Sequence, residues 1–469
     1  MEREHFDILI VGSGVAGMSA AVSAMESLLE TGTEATLAVI ERASETEAGG
    51  SSRHTEAYLR MDASMKPAET FEEDIMSFSE GRSDPRMVRR LGEEAESTLR
   101  WLQGKGVVFE ALPTAFLTSR RPRLLPVGGG RAIIEALGRR LRENGVPILY
   151  ETTALRLILD DSGRVGGLEV RSNRDGLVRR ITCHAVVLAC GGFEGNPEML
   201  ARYMGEKARN LRNISRGGLY NKGECIQMAL QVGAKPAGEW TLFHAEPVDP
   251  RSSATEPLLA IFPYGVLVNR QGRRFIDEGE GTVDETYEKV ARAVLEQDGQ
   301  IAYLVLDQKL YSIPDFRRAI KTPEPPVEAE TLGDLAEKLG IDKVQFIETI
   351  EEFNRAVQEG PFDPLRLDGK RTAGINPPKS NWAQRIDSPP YLAYPFACAI
   401  VFTFGGVATN EEAEVLSSDD IPIPGLYAAG EVVGMYYAKY PGATSVLRGL
   451  VFGRIAGRNA ARYVRRLVG

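Results

Sequence analysis

The sequence predicts an α/β protein: a Rossmann-like dinucleotide-binding domain interrupted by an inserted α+β capping domain. Three observations carry this. The first forty residues alternate strand, glycine turn, helix, strand and acid. The strand-and-glycine texture returns near the C-terminus. The stretch between is rich in proline and charge and has a different periodicity. The expected divisions are residues 1–240, the first part of the nucleotide domain; 241–395, the capping domain that would hold substrate; and 396–469, the second part. The 469 residues suffice for two or three domain-sized units, and 48 of them are glycine, above ordinary usage. The positions of those glycines are therefore informative.

Phe6 to Val11 reads as a buried strand. Gly12-Ser13-Gly14-Val15-Ala16-Gly17 follows, then the small, helix-compatible run from Met18 to Leu29. Ala35 to Ile40 reads as a second buried strand that ends in Glu41. In such a unit Gly12 allows the tight turn, Gly14 lets backbone approach a pyrophosphate, and Gly17 lets helix and sheet pack closely. The helix N-terminus offers free N–H groups and partial positive charge to phosphate. Glu41 stands where a carboxylate can accept from ribose hydroxyls. The motif by itself leaves NAD and FAD both open.

Arg131 to Asn144 has helical period. Residues 147–160 and 165–171 read as strands joined by a turn at 160–163. Ala185 to Cys190 is another buried strand and enters Gly191-Gly192, the kind of strand end where open α/β sheets bind ligands. In the insert, residues 265–275 form a hairpin, and Thr331 to Gln358 is a helical pair opened by a capping-box-like Thr331 and Asp334. Residues 360–390 are a proline-rich crossing segment. From Ile400 strand and glycine return, and a helix from Ser445 to Val464 closes the chain.

The formal net charge is -9, from 56 Lys and Arg against 65 Asp and Glu. A nucleic-acid partner is not expected, because phosphate binding needs a basic face. No run is apolar and long enough for a membrane span, and no signal peptide is evident, so the cytoplasm is the expected location. The four cysteines, Cys183, Cys190, Cys225 and Cys398, form no C-x-x-C pair. They read as buried reduced thiols rather than cluster or zinc ligands. His5, His54, His184 and His244 lack metal-ligand spacing, so no metal is expected.

The segments VGSGVAG at 11–17, GGSSRHT at 49–55, AVVLACGGF at 185–193, VLVNRQGRRFIDEGE at 266–280, NPPKSNWAQRIDSPPYLAYP at 376–395 and GLYAAGEVVG at 425–434 occur in one order. Together they resemble the fumarate reductase/succinate dehydrogenase flavoprotein superfamily, and within it the tricarballylate dehydrogenase-like branch. The resemblance implies FAD and redox chemistry on a carbon–carbon bond, with hydride passing to the flavin. It places Gly12, Gly14, Ala16 and Gly17 at the pyrophosphate and Glu41 with Arg42 at the adenosine ribose. Ser51, Ser52 and Thr55 would lie beside the phosphates, with Gly191 and Gly192 at the second glycine turn. Glu224 would stand near the nucleotide, Gly430 and Glu431 at the ribityl chain, and Ser445 and Val446 at the flavin pyrimidine. His54 matches the histidine that carries the flavin covalently in some relatives. The alternative, a histidine packed or hydrogen-bonded beside the ring, is equally compatible with its residue type.

The substrate side departs from that pattern. Where fumarate reductases hold a dicarboxylate with arginine, histidine and a Thr-Glu pair, this sequence has Leu258, Leu259, Phe262 and Phe402, and only His244 keeps its type. Burying carboxylates without cationic partners costs several kcal/mol each, so fumarate and tricarballylate are disfavoured. The stretch Tyr440-Pro441-Gly442-Ala443-Thr444 is similar instead to 3-ketosteroid dehydrogenases, where a tyrosine and a glycine N–H polarise a ketone. Arg448 could meet a single carboxylate, or could be an ordinary helix-surface arginine. Tyr440, His244 and Tyr287 are the candidates for proton transfer. The expected function is an FAD-dependent dehydrogenase or reductase of a CH–CH bond in a small organic acid or cyclic ketone. Alternatives are an amine or alcohol oxidase, or a flavoprotein subunit of a multicomponent dehydrogenase. The electron acceptor could be oxygen, a quinone or a separate iron–sulfur protein.

Overall fold

A computed structural model describes residues 5–111 and 123–468. The nucleotide-binding sheet has six strands, ordered Glu414–Leu416, Pro422–Ala428, Ala185–Leu188, Ile8–Val11, Leu37–Ile40 and Ile148–Leu149. All but the edge strand Glu414–Leu416 run parallel. Ile8–Val11, Leu37–Ile40 and Ala185–Leu188 are fully buried. This is why they read as continuous apolar runs and not as alternating ones: a parallel sheet is covered on both faces.

The helix Val15–Glu30 crosses one face, and the closing helix Ser445–Val468 packs along it. The closing helix carries glycine every fourth residue there. A methyl at Gly453 would stand 2.4 Å from the carbonyl oxygen of Ala16, and one at Gly457 would stand 2.1 Å from that of Ala20. The first and last elements of the chain thus meet backbone to backbone, which fixes where the closing helix begins. The amphipathic helix Pro85–Gln103, which sequence reading passed over, covers the outer side of this pair. Its cap, Asp84, accepts from Arg86 N, and proline opens its first turn.

The inserted region builds its own sheet around the long strand Tyr391–Thr403. Phe243–Val248, Ile301–Asp307 and Val327–Ala329 pair with it antiparallel, and Arg212–Asn213 pairs with it in parallel. Because this strand runs on to Thr403, it leads directly from the insert to the floor of the nucleotide site. The helix Val283–Leu295 packs on the strands Phe243–Val248 and Tyr391–Thr403. It starts with a full capping box, Thr282 with Glu285. Among the described residues no helix is long and apolar enough to cross a membrane.

One expectation about the cysteines is overturned. Cys190 and Cys225 are joined as a disulfide, with Cα atoms 6.4 Å apart, while Cys183 and Cys398 are free and buried. A sequence separation of 35 hid the pair. It forms because the end of the strand Ala185–Leu188 meets the start of the helix Glu224–Gln231.

Candidate active site

Two cavities share a wall. The first holds about 1270 Å³ of empty space and runs along the C-terminal ends of the parallel strands. Gly12, Gly14 and Ala16 line it at the N-terminus of the helix Val15–Glu30. That helix has no side-chain cap at Gly14; Val15 N donates to Ser52 Oγ at 3.3 Å, and the positive end of the helix faces the cavity, where it favours an anion. At one end sits Glu41, whose Oε2 accepts from Ser13 N (3.0 Å) and Ser13 Oγ (2.5 Å), and whose Oε1 accepts from Ala43 N (2.7 Å). A carboxylate has about four acceptor sites, so one remains for a ribose hydroxyl. Arg42 and Glu224 line the same end and pair with each other at 2.5 Å. Ser51, Ser52, Thr55 and Gly191 follow along the wall, and Gly430, Glu431, Ser445, Val446 and Arg448 close the other end.

Three expected cofactor residues lie outside this lining. Gly17 acts on the turn itself: a methyl there would stand 1.9 Å from the carbonyl oxygen of Gly12. Gly192 makes room for Glu431 and Thr403, which would lie 2.1 and 2.2 Å from its added methyl. His54 caps the short turn Ser51–Arg53 and lines neither cavity. Covalent attachment of the flavin through it therefore gains no support, because its neighbours Ser52 and Thr55 face the cavity instead.

Glu431, partly buried at the cavity wall, has a fully buried partner that sequence reading missed, Glu194. Its carboxylate accepts from Thr403 N (2.8 Å) and Thr403 Oγ1 (3.0 Å). Asn221 Nδ2 donates to Glu194 Oε1 at 2.6 Å and reaches Glu431 Oε2 at 3.4 Å. The carboxyls of Glu194 and Glu431 meet, and burial together with the facing carboxyl pushes Glu194 well above the ordinary carboxylate range. Glu194 Oε2 has no donor within reach, as expected when that carboxyl carries the shared proton itself.

The second cavity opens under the capping region and shares Thr55, Ile214, Glu256, Val401, Phe402, Ser445 and Val446 with the first. On that shared side, rings gather. His244 lies 4.4 Å from Tyr440, 5.0 Å from Phe402 and 5.6 Å from Tyr287, centroid to centroid. Glu288 ties them together: its Oε1 contacts His244 Nδ1 at 2.8 Å, and its Oε2 accepts from Tyr440 N at 3.3 Å. Burial holds the His244 imidazole below its ordinary value despite Glu288, so the ring is neutral at pH 7. Burial, reinforced by Glu288 and Glu246, pushes the Tyr287 phenol well above its ordinary range, so it keeps its proton. Burial likewise raises Glu246 to about 8 and Glu256 to about 7. The Tyr440 hydroxyl accepts from Thr444 N and Ser445 N, each at 3.0 Å, and lies 3.0 Å from Ser445 Oγ.

Other expected lining residues sort differently. Leu258, Phe402 and Gly442 do line the chamber. Phe262 does not: it is fully buried in the capping core, edge-on to Phe396, and Leu259 is buried in that same core. Both fell to the cap's interior because the short turn Phe262–Tyr264 faces the strand Ile301–Asp307 and not the cavity. Arg448 is no surface arginine. It is 2% exposed, donates Nη1 to Val433 O at 3.1 Å, and lies 4.1 Å over the Tyr436 ring. Glu288 and Tyr436 were missed; the Thr282-x-x-Glu285 capping signal would have revealed the helix that carries Glu288.

The sequence family described as FAD binding domain matches residues 7–447. The chain belongs to that family. FAD is its cofactor, and the helix N-terminus, the acid at the ribose end and the glycine turns all fit it. Across 98% of its length the chain is 28% identical to a probable fumarate reductase of Shewanella frigidimarina, covering 75% of that protein. It is also 28% identical over 365 residues to a 4-oxocyclohexanecarboxylate 2-dehydrogenase of Sinomonas cyclohexanicum, covering 71% of this chain and 61% of that one. The open form of a flavocytochrome c3 fumarate reductase superposes with a TM-score of 0.81 at 26% identity, covering 98% of this chain and 78% of that one. The protein is an FAD-dependent oxidoreductase acting on CH–CH groups.

Proposed function

We propose that this enzyme dehydrogenates, or in reverse reduces, the carbon–carbon bond beside the carbonyl of a compact ring ketone or oxo acid. The observation that supports this most is the cluster of rings in the chamber, which reaches the shared wall at Phe402. His244, Tyr287, Phe402 and Tyr440 meet there. Of the cations beside the chamber, Arg60 and Arg123 are paired with Asp74 and Asp284, Arg292 lies 3.5 Å from Glu288, and Arg448 lies over the Phe402 ring with Nη1 on Val433 O. A dicarboxylate would need uncommitted cations at both ends. A flat apolar ring needs only surface to pack on.

Arg317 and Arg318 line the chamber from its exposed edge and have no ion-pair partner among the described residues. They offer one carboxylate a place at the mouth, which suits an oxo acid. The similarity to a 4-oxocyclohexanecarboxylate 2-dehydrogenase supports the same substrate class.

When bound, FAD supplies the acceptor for a hydride. His244 takes the proton: Glu288 orients it through Nδ1, and its Nε2 lies 3.5 Å from Glu246 Oε1, which lines the chamber with it. Tyr287 donates from its protonated hydroxyl to the substrate carbonyl, where negative charge develops. Its hydroxyl has no hydrogen bond to the described residues, so it is free to do so. Tyr440 is a positioning residue that packs on His244 and holds the start of the closing helix. Among the described residues no cysteine cluster offers an internal electron exit, so electrons leave to an external acceptor.

Anaerobic mixing of the FAD-loaded enzyme with a substrate panel tests this. Cyclic ketones and cyclic oxo acids should bleach the oxidised flavin, and succinate and tricarballylate should not. Bleaching by dicarboxylates or amines alone would overturn the reading.

A further inference from the structure

At the opposite end of the parallel sheet from the FAD cavity, three side chains converge. His5, Asp7 and His184 present ligand atoms that all lie within 4.8 Å of one another. We propose that they bind a borderline divalent transition-metal ion, zinc(II) being the natural occupant, and that the ion staples the N-terminal segment to the sheet. The two histidines are far apart in sequence, and no spacing rule joins them. The fold does, because His5 bridges to Thr182 and Ile8 pairs with Ala185 in parallel register.

The distances fit. Asp7 Oδ1 is 3.4 Å from His5 Nε2 and 3.7 Å from His184 Nε2. A tetrahedral zinc with bonds of about 2.0–2.1 Å has ligand–ligand edges of roughly 3.3–3.4 Å. Two of the three edges are thus within a few tenths of an ångström already. The third closes by a small turn of a partly exposed ring; the side chains of His5 and His184 are 50% and 39% exposed. That exposure also leaves the fourth position to water.

The groups behind the ligands are arranged as a metal site requires. Asp7 Oδ2 accepts from Thr36 N at 2.7 Å and Thr36 Oγ1 at 2.9 Å, which leaves Oδ1 facing the histidines. His5 Nδ1 lies 2.9 Å from Thr182 Oγ1. That contact fixes the ring and reserves Nε2 for the ion, the second-shell device common to histidine ligands. Two imidazoles and one carboxylate favour zinc or its neighbours over calcium or magnesium, which take oxygen ligands. The site lies at the N-terminal end of the strand Ile8–Val11, whereas the cavity that would hold FAD lies beyond its C-terminal end. The ion therefore acts on stability and not on the redox step.

The test uses the chelator-treated, FAD-loaded full chain. Zinc competed against a fluorescent chelator at about pH 7.5, where unperturbed histidine is neutral, should bind at one equivalent. It should raise the thermal midpoint. His5→Ala and His184→Ala should each weaken binding at least tenfold and abolish the zinc-dependent rise, while their metal-free midpoints stay near that of the parent. Cobalt(II) should give a visible spectrum free of thiolate charge transfer. Equal zinc binding in both variants, no saturable binding in the parent, or a thiolate band would each overturn the proposal.

Discussion

The phenolic oxygen of Tyr440 lies 3.0 Å from both the backbone nitrogen and the Oγ of Ser445, the first residue of the closing helix. A tyrosine from the preceding loop thereby occupies the role of a helix cap, and the same helix start lines both cavities. Tyr440→Phe removes that cap. We expect turnover to fall about tenfold with FAD still bound, and stability to fall by about 1 kcal/mol, as for other lost N-caps. Steady-state kinetics, flavin absorbance and urea unfolding read the three effects. Unchanged turnover would remove Tyr440 from the machinery.

The Glu288–His244 pair gives a pH prediction. Burial lowers the imidazole's proton affinity and Glu288 partly restores it. Because the neutral ring is the working form, kcat/KM should fall only below the ordinary histidine value of about 6.5. Glu288→Gln removes the restoring charge, so the acid limb should move to still lower pH while kcat drops. A limb that moves upward would show that the imidazole works as a cation.

The Glu194–Glu431 pair should be visible in stability. Glu194 is held above its ordinary value by burial first and by Glu431 second. A group raised in the folded state contributes stability below its unfolded value, and that contribution is lost as pH rises through the folded value. The parent should therefore lose stability as pH rises from the unfolded carboxyl value of about 4.3 upward, and Glu194→Gln should lose less. Thermal midpoints across that range decide it; parallel curves would mean that the pair holds no proton.

The contact between the first and last helices should tolerate no side chain. Gly457→Ala places a methyl on the Ala20 carbonyl, where neither backbone can yield freely. Overpacking of this kind costs roughly 1–3 kcal/mol, measurable as a lower urea midpoint. A neutral result would mean that the helices separate easily.

The cofactor half of the site was largely legible because its residues act locally. Gly12, Gly14 and Glu41 belong to one βαβ unit, in which turn, helix and strand are neighbours in sequence as in space. The periodicity that marks those elements also marks the ligand they cradle. Gly17 and Gly192 were recognised as required, yet they serve the backbone that surrounds the cavity.

The substrate half was not legible in the same way. His244 was picked out from the chain, but its partner Glu288 lies 44 residues on and meets it only because the helix Val283–Leu295 packs across the strand Phe243–Val248. Phe262 and Phe402 look alike in sequence, yet one fills the capping core and the other lines the chamber. The Cys190–Cys225 and Glu194–Glu431 pairs likewise join residues from separate segments. The sequence by itself determined the dinucleotide-binding unit, which follows from local pattern, and the order of its segments, through their resemblance to a flavoprotein superfamily, implied FAD and the class of chemistry. Which buried polar groups face one another, and hence where protons reside, was decided only by tertiary packing, since burial and neighbouring charge are properties of the assembled interior.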